Sequence, residues 1–357
     1  MKKILLALVL IALTAPLTFA CTDFQVKAKD GTVVVGRSME FPLDLKSKVY
    51  VVPRGQQIYI VNSKGVKGIN WTAKYGYIGV NAFNLPNSFV EGLNEKGLAV
   101  EGLMFDGAVY QPIVANKYVT LDKLVAWLMG NFKSVAEVKQ GIKDVSITAS
   151  EVKELKKMGM HLAIHDASGN NLVIEFIGGQ RKVYDNPLGV MTNRPEFPFQ
   201  LTNLRNYINL TPNDKTPLKI NGVKIEPTGV GSGMLGLPGD WTPSSRFVKV
   251  ALCVNAALQP KNSKEAVILA EHILNVVDIP KGVIKEHPAP FVTLFGNAEW
   301  VLIKDLTNQI LYFKTYDNTD WKSVDIKKFN LAAGAASKSI SIDSQHFADT
   351  DVSRKLK

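Results

Sequence analysis

The order in which hydrophobic periodicities change along this chain limits its architecture more than any other feature. Runs that alternate apolar and polar every second residue, the period of a half-buried strand, begin just after residue 20. "TDFQVKA" and "TVVVGRS" flank Lys29-Asp30-Gly31, and "KVYVVPRG" and "YIGVNAF" follow. Helical spacing then takes over in "LDKLVAWLMGNF" (121–132) and "SVAEVKQGI" (134–142), the second opening on a serine suited to cap a helix. Alternation returns in "MHLAIHDASGNNLVIEFIGGQRKVYD" (160–185), which turns at 167–170 and at Gly178-Gly179. Helical spacing comes back in "RFVKVALCVNAAL" (246–258) and "SKEAVILAEHILNVV" (263–277), and strands close the chain in "FVTLFGNAEWVLIKDLTNQILYFKTYDN" (291–318). Each helix has one apolar stripe to bury and each strand one apolar face. Two antiparallel sheets packed face to face, with helices on both outsides, satisfy all of them. The expected class is α+β, a four-layer αββα sandwich.

Asp30-Gly31 is a strong local signal for a hairpin. Read as a two-residue turn, it sets Lys29 opposite Thr32 and carries Glu40 opposite Cys21. Strict alternation then turns Arg37 to the other face. For Arg37 to reach Cys21 the strand must bulge, and Gly36 is the expected place.

Residues 1–20 have the form of a secretory signal peptide: Lys2 and Lys3, an apolar run from Ile4 to Leu13, and Thr18 and Ala20 before the cleavage point. The run is too short to span a bilayer, which takes about 20 residues. The expected layout is a leader (1–20), a domain over 21–340 and a basic tail (341–357), with export to the periplasm or beyond. The formal charge of +10 falls to +8 without the leader lysines. The remaining lysines are dispersed, whereas nucleic acid binding needs them in one patch. Of the two cysteines, Cys253 falls in a helical pattern, where a thiol behaves as a small hydrophobe; no disulfide is expected.

Several groupings carry little chemistry. His161 and His165 are four apart, but on a strand that spacing separates them by about 13 Å, so a metal pair is not expected. The glycines of "GVGSGMLGLPGD" (229–240) have no strand before them and no phosphate-loop signature after. Cys21 is different. Cleavage before it yields one residue with both a thiol and a free α-amine. The amine titrates near 7.7–8.0 in model peptides and can take the thiol proton, so nucleophile and base coincide. A carboxylate at Glu40 could hold the amine and a cation at Arg37 could favour thiolate; equally, "GRSMEF" could be a strand end with a solvated ion pair. A competing reading makes Cys21 the acylated anchor of a lipoprotein binding domain. Phe19 is bulky for that processing, and an acylated amine could not act as base.

At these residues a resemblance becomes visible. "CTDF", "GRSMEF", "EGLNEKGLAVEGLMF" (91–105), "GVMTNRPEF" (189–197) and "GLPGDWTPSSRF" (236–247), in that order, resemble the choloylglycine hydrolase family of bile salt hydrolases and penicillin V acylases, which are N-terminal nucleophile hydrolases. The resemblance runs from Cys21 to about residue 335 and implies the same αββα fold. It implies Cys21 as nucleophile, Arg37 beside its sulfur, and Glu40, where the family has aspartate, holding the amine. Asn193 would donate its side-chain amide to an oxyanion hole, and Arg246 would complete the charge network. Met104 stands where asparagine or tyrosine is usual, so its backbone N–H would be the second donor. Met39, Phe41, Phe105 and Met234 are expected to line an apolar acyl pocket. The resemblance further implies hydrolysis of a non-peptide amide in a small N-acyl substrate such as a conjugated bile salt or penicillin V, without metal or organic cofactor. It also implies a homo-tetramer. A scaffold with impaired activity, through Glu40 and Met104, is the remaining alternative.

Overall fold

The first hairpin sets the register of everything around Cys21. Its strands are β1 (Cys21–Lys27) and β2 (Val33–Glu40). The turn between them is one residue longer than the sequence suggests. The Ala28 N–H donates to the Thr32 carbonyl at 2.8 Å, and Gly31, at φ +91°, donates back to Ala28. This is a three-residue loop with glycine in the left-handed region. Cys21 therefore pairs with Met39, and Arg37 with Asp23. A shift of one residue exchanges the two faces of a strand. Arg37 shares the face of Cys21, and Glu40 turns to the other side, the reverse of the sequence expectation. Pairing is continuous from Cys21 to Lys27, so no bulge is needed. Gly36 serves another purpose, since a Cβ there would lie 2.5 Å from the Phe24 ring.

In the computed structural model, residues 20–156, 158–289 and 291–343 are described. The leader through Phe19 and the tail beyond 343 lie outside the described residues. The first sheet runs in the order Val190–Met191, β1, β2, Ala298–Asp305, Ile310–Thr315, Lys322–Asp325. The second runs Gln180–Asp185, Asn171–Ile177, Met160–Asp166, Leu98–Met104, Phe89–Asn94, Tyr77–Asn81, Lys48–Val52, Lys338–Ser341. All pairings within these sheets are antiparallel, and the α+β sandwich is as the periodicities predict.

Helices cover both outer faces. Leu121–Asn131 lies on the second sheet and buries Leu124, Val125, Leu128 and Met129. Gly92 lets it approach, because a Cβ there would sit 2.5 Å from the Met129 sulfur. The short helix Val135–Gly141 is capped by Ser134, whose side chain accepts from the Glu137 N–H. Pro243–Ala256 and Ser263–Asn275 cover the first sheet through Phe247, Val250, Ala266 and Ala270. Both cysteines are free thiols. Among the described residues no helix is long and apolar enough to cross a membrane.

The layer between the sheets holds charge as well as hydrocarbon. Lys304 reaches Glu91 at 2.6 Å and Glu101 at 2.8 Å, and the Trp300 indole N–H donates to Glu91 at 2.8 Å. Asp23 meets His165 at 2.7 Å, and Glu175 meets His161 at 3.2 Å. The two histidines, four apart on the strand Met160–Asp166, thus serve two different carboxylates. Burial pushes Glu91 up, but Lys304 and Arg37 outweigh it and hold the carboxyl at about 2. Burial prevails at Glu101, which Lys304 opposes without reversing, and it stays well above the usual carboxylate range. At His165 burial is likewise opposed by Asp23, and here the carboxylate wins and raises the imidazole above its usual value.

Removing one partner of a buried ion pair strands the other. Lys304→Met is expected to lower unfolding free energy by about 3–5 kcal/mol, read from urea denaturation. Because His165 is raised in the folded state, its contribution should be full below its unfolded pKa of about 6.5. It should be lost as pH rises through the higher folded value. Urea midpoints measured across that window should lose this slope in His165→Asn.

Candidate active site

Cys21 is the first residue of β1 and is fully buried between the sheets. Arg37 lies on the same face of β2. Its Nη2 is 3.3 Å from the Cys21 sulfur and donates to the Gly102 carbonyl at 3.0 Å, while Nη1 donates to the Ser38 carbonyl. Met39 completes the contact, its sulfur 3.8 Å from that of Cys21. Among the described residues no carboxylate hydrogen-bonds this buried guanidinium. Burial works against its charge, but Cys21, Glu91, Glu40 and Glu101 together hold its pKa above the ordinary value.

Asn193 is the hub of the opposite side. The Cys21 nitrogen, a peptide N–H while Ala20 is attached, donates to Asn193 Oδ1 at 2.7 Å. Arg246 Nη2 donates to the same oxygen at 2.9 Å, and its Nη1 reaches the Cys21 carbonyl at 2.5 Å and Thr22 Oγ1 at 2.7 Å. Arg246 is delivered by the first turn of Pro243–Ala256, which starts with proline at its favoured position. Asp240 ties that start down by accepting from the Thr242 N–H at 2.9 Å and the Ser245 hydroxyl at 2.7 Å. The Thr242 hydroxyl, then Ser245, draw its carboxyl down to about 2. Asn193 Nδ2 donates to the Met104 carbonyl at 2.8 Å, so the two expected oxyanion donors are neighbours. One of the two Asn193 amide hydrogens is engaged there.

Glu40 occupies a different place from the one its spacing suggests. Its backbone N–H donates to the Ala20 carbonyl at 3.0 Å. Among the described residues neither carboxylate oxygen has a hydrogen-bond partner. Burial pushes the carboxyl up, against the pull of Arg246, Ser38 and Arg37. The acceptor of the Cys21 nitrogen is Asn193 instead, because the three-residue turn rotates Glu40 away.

Two cavities meet at this point. A cleft of about 510 Å³ is lined by Ala20, Glu40, Phe41, Met104, Asn193 and Arg246, among others. An apolar slot of about 30 Å³ lies beside Cys21, with Met39, Phe41, Met104, Met158 and Met160 in its wall. Met39 and Phe41 are thus placed as expected. Phe105 lies behind the site, stacked on His161 at 4.7 Å, and lines neither cavity. Met234 closes the turn Ser232–Met234 and lines neither cavity. Sequence reasoning passed over Thr22, Arg194 and Trp241, although each falls inside a motif it quoted. For Arg194 and Trp241 the role depends on which way a loop side chain faces, and periodicity does not report that.

The family model "Linear amide C-N hydrolases, choloylglycine hydrolase family" matches residues 21–347. The chain is 31% identical over 320 residues to a bile salt hydrolase/transferase of Clostridium perfringens, covering 87% of this chain and 94% of that one. It is 25% identical over 365 residues to a penicillin V acylase of Pectobacterium atrosepticum, covering 94% and 90%. The crystal structure of a mutant conjugated bile acid hydrolase from Clostridium perfringens superposes with a TM-score of 0.81 at 28% identity, covering 93% of this chain and 99% of that one.

The hub position of Asn193 has a measurable consequence. Asn193→Ala removes the acceptor of the Cys21 nitrogen and, with it, one of the two expected oxyanion donors. Amide turnover is expected to fall on the order of 100-fold or more, measured as kcat under substrate saturation.

Proposed function

The chain belongs to the choloylglycine hydrolase family of linear amide C–N hydrolases, and from that premise we propose that it is exported, trimmed before Cys21, and uses that residue as nucleophile and base on small N-acyl amides. Conjugated bile salts and penicillin V, the chemistries named for its relatives, are the proposed substrate classes. The observation that carries the reading is the Arg37 guanidinium 3.3 Å from the Cys21 sulfur, buried and without a hydrogen-bonded carboxylate. With Glu91 matched to Lys304 and Asp23 to His165, a thiolate at Cys21 is the counter-ion that stands closest to it.

Cleavage after Ala20 would free the α-amine at Asn193 Oδ1 and vacate the part of the cleft that Ala20 lines. The Glu40 N–H would be released from the Ala20 carbonyl by the same cut. The amine takes the thiol proton, and sulfur attacks the substrate carbonyl carbon. The resulting oxyanion accepts from the Met104 backbone N–H and the second amide hydrogen of Asn193. As the C–N bond breaks, the ammonium returns its proton to the leaving nitrogen and a thioester remains. Water then adds to that carbonyl, giving its proton to the amine. The C–S bond breaks to release the acid.

The lipid-anchor alternative requires an acylated Cys21 nitrogen, which would end this proton transfer. Assembly into a tetramer is also proposed. It is supported by the exposed side chains of Leu218, Ile220, Val223 and Ile225 on the hairpin Leu218–Ile220 and Val223–Ile225, an apolar surface suited to a second copy.

Intact mass of the purified mature protein should correspond to a start at Cys21 with a free amine; a diacylglyceryl adduct or another start would remove the mechanism. Cys21→Ser should lose most hydrolysis of glycocholate, taurocholate and penicillin V. Retained turnover in that variant would place the nucleophile elsewhere.

A further inference from the structure

We propose that Arg194 selects amides whose leaving amine carries an acid anion, a carboxylate or sulfonate, and binds that anion in the cleft. The inference rests on the amidase reading above and deepens it to a substrate class.

Arg194 directly follows Asn193 and lines the same 510 Å³ cleft. Arg246, the other arginine of that lining, is tied down by bonds to Cys21, Thr22, Asn193 and Trp241. Arg194 differs. Its side chain is 52% exposed, and its one charged neighbour is Asp106 at 3.9 Å, itself 66% exposed. Ion pairs that long and that solvated contribute little. Among the described residues none of its five N–H donors makes a hydrogen bond.

The side chain is nonetheless held in place. Its guanidinium lies over the Phe105 ring at 6.0 Å, within cation–π range. A Cβ on Gly107 would come 2.9 Å from Arg194 Nη1, and Gly107 has φ +83°, so glycine permits the approach on both counts. A guanidinium held on its apolar side, with its donors unengaged, presents the planar fork that matches a carboxylate or sulfonate. Consecutive Cα atoms are about 3.8 Å apart. In this proposal the amine portion of a substrate whose carbonyl is held at Asn193, with the acid group it carries, lies on the Arg194 side of the shared cleft. Asp106 and Glu286 also line the cleft and set a negative background against which an anion needs a dedicated cation.

The test uses the mature enzyme and two substrates that differ only in charge, N-phenoxyacetylglycine and N-phenoxyacetylglycinamide, with the matching cholyl pair run in parallel. A charge-assisted hydrogen bond of about 1.5–3 kcal/mol corresponds to a preference for the anion of roughly 10- to 150-fold in kcat/KM. Arg194→Ala should bring that ratio towards one, chiefly through KM. Arg194→Lys should keep part of it and Arg194→Glu should invert it. Equal efficiency on both substrates in the unmutated enzyme overturns the inference. So does an unchanged ratio in Arg194→Ala while both rates fall together. In either case the amidase reading stands, because turnover itself supports it. Failure to hydrolyse any of the four substrates removes that reading and this inference with it.

Discussion

The register of the first hairpin is the constraint on which the site depends. Gly31 in the left-handed region allows a three-residue turn, and that one extra residue decides which side chains meet Cys21. In the observed register Arg37 and Met39 stand beside the thiol, while Glu40 faces the helices and Arg246. A two-residue turn would reverse the two faces, leaving the thiol without a cation and turning Arg37 to the side of the sheet that Ser263–Asn275 covers. A loop residue at the far end of the hairpin thus sets chemistry at its open end, because alternation carries the offset along both strands.

Charge between the sheets follows from that register. Buried ion pairs contribute little net stability but become costly when broken. Lys304, Glu91, Glu101, Asp23 and His165 all project into a layer that hydrocarbon could have filled. Their presence supplies a nearly balanced surrounding in which Arg37 keeps its charge without a direct carboxylate partner. Burial, with Glu91 beside it, pushes the Glu101 carboxyl up against the pull of Lys304. The balance leaves the sulfur of Cys21 as the group closest to the uncompensated cation.

Asn193 and Arg194 divide the cleft's work between neighbouring residues. Asn193 is bonded to the Cys21 nitrogen, Arg246 and the Met104 carbonyl. Arg194 has its donors open to the cleft. The same short segment therefore ties Cys21, Arg246 and Met104 together and adds an arginine to the lining of the cleft. Both side chains belong to the quoted "GVMTNRPEF", yet only their three-dimensional setting separates the anchored one from the unengaged one.

Much of this protein could be read from residue order alone. The two sheets and the covering helices follow from periodicity, and Ser134 marks a helix start through its side-chain chemistry. Cys21, Arg37, Asn193 and Arg246 follow from motif resemblance. What sequence could not decide was the turn length at Lys29–Gly31, because Asp-Gly suits both a two-residue turn and the end of a three-residue one. Glu40 was misplaced for that reason. Met234 and Phe105 look like pocket residues by composition, but a hydrophobic side chain fits a turn or a core equally well. The pairings of Lys304 with Glu91 and Glu101, and of Arg246 with Cys21, join residues more than 200 positions apart. Contacts of that kind depend on how the sheets and helices stack, which only the tertiary structure determines.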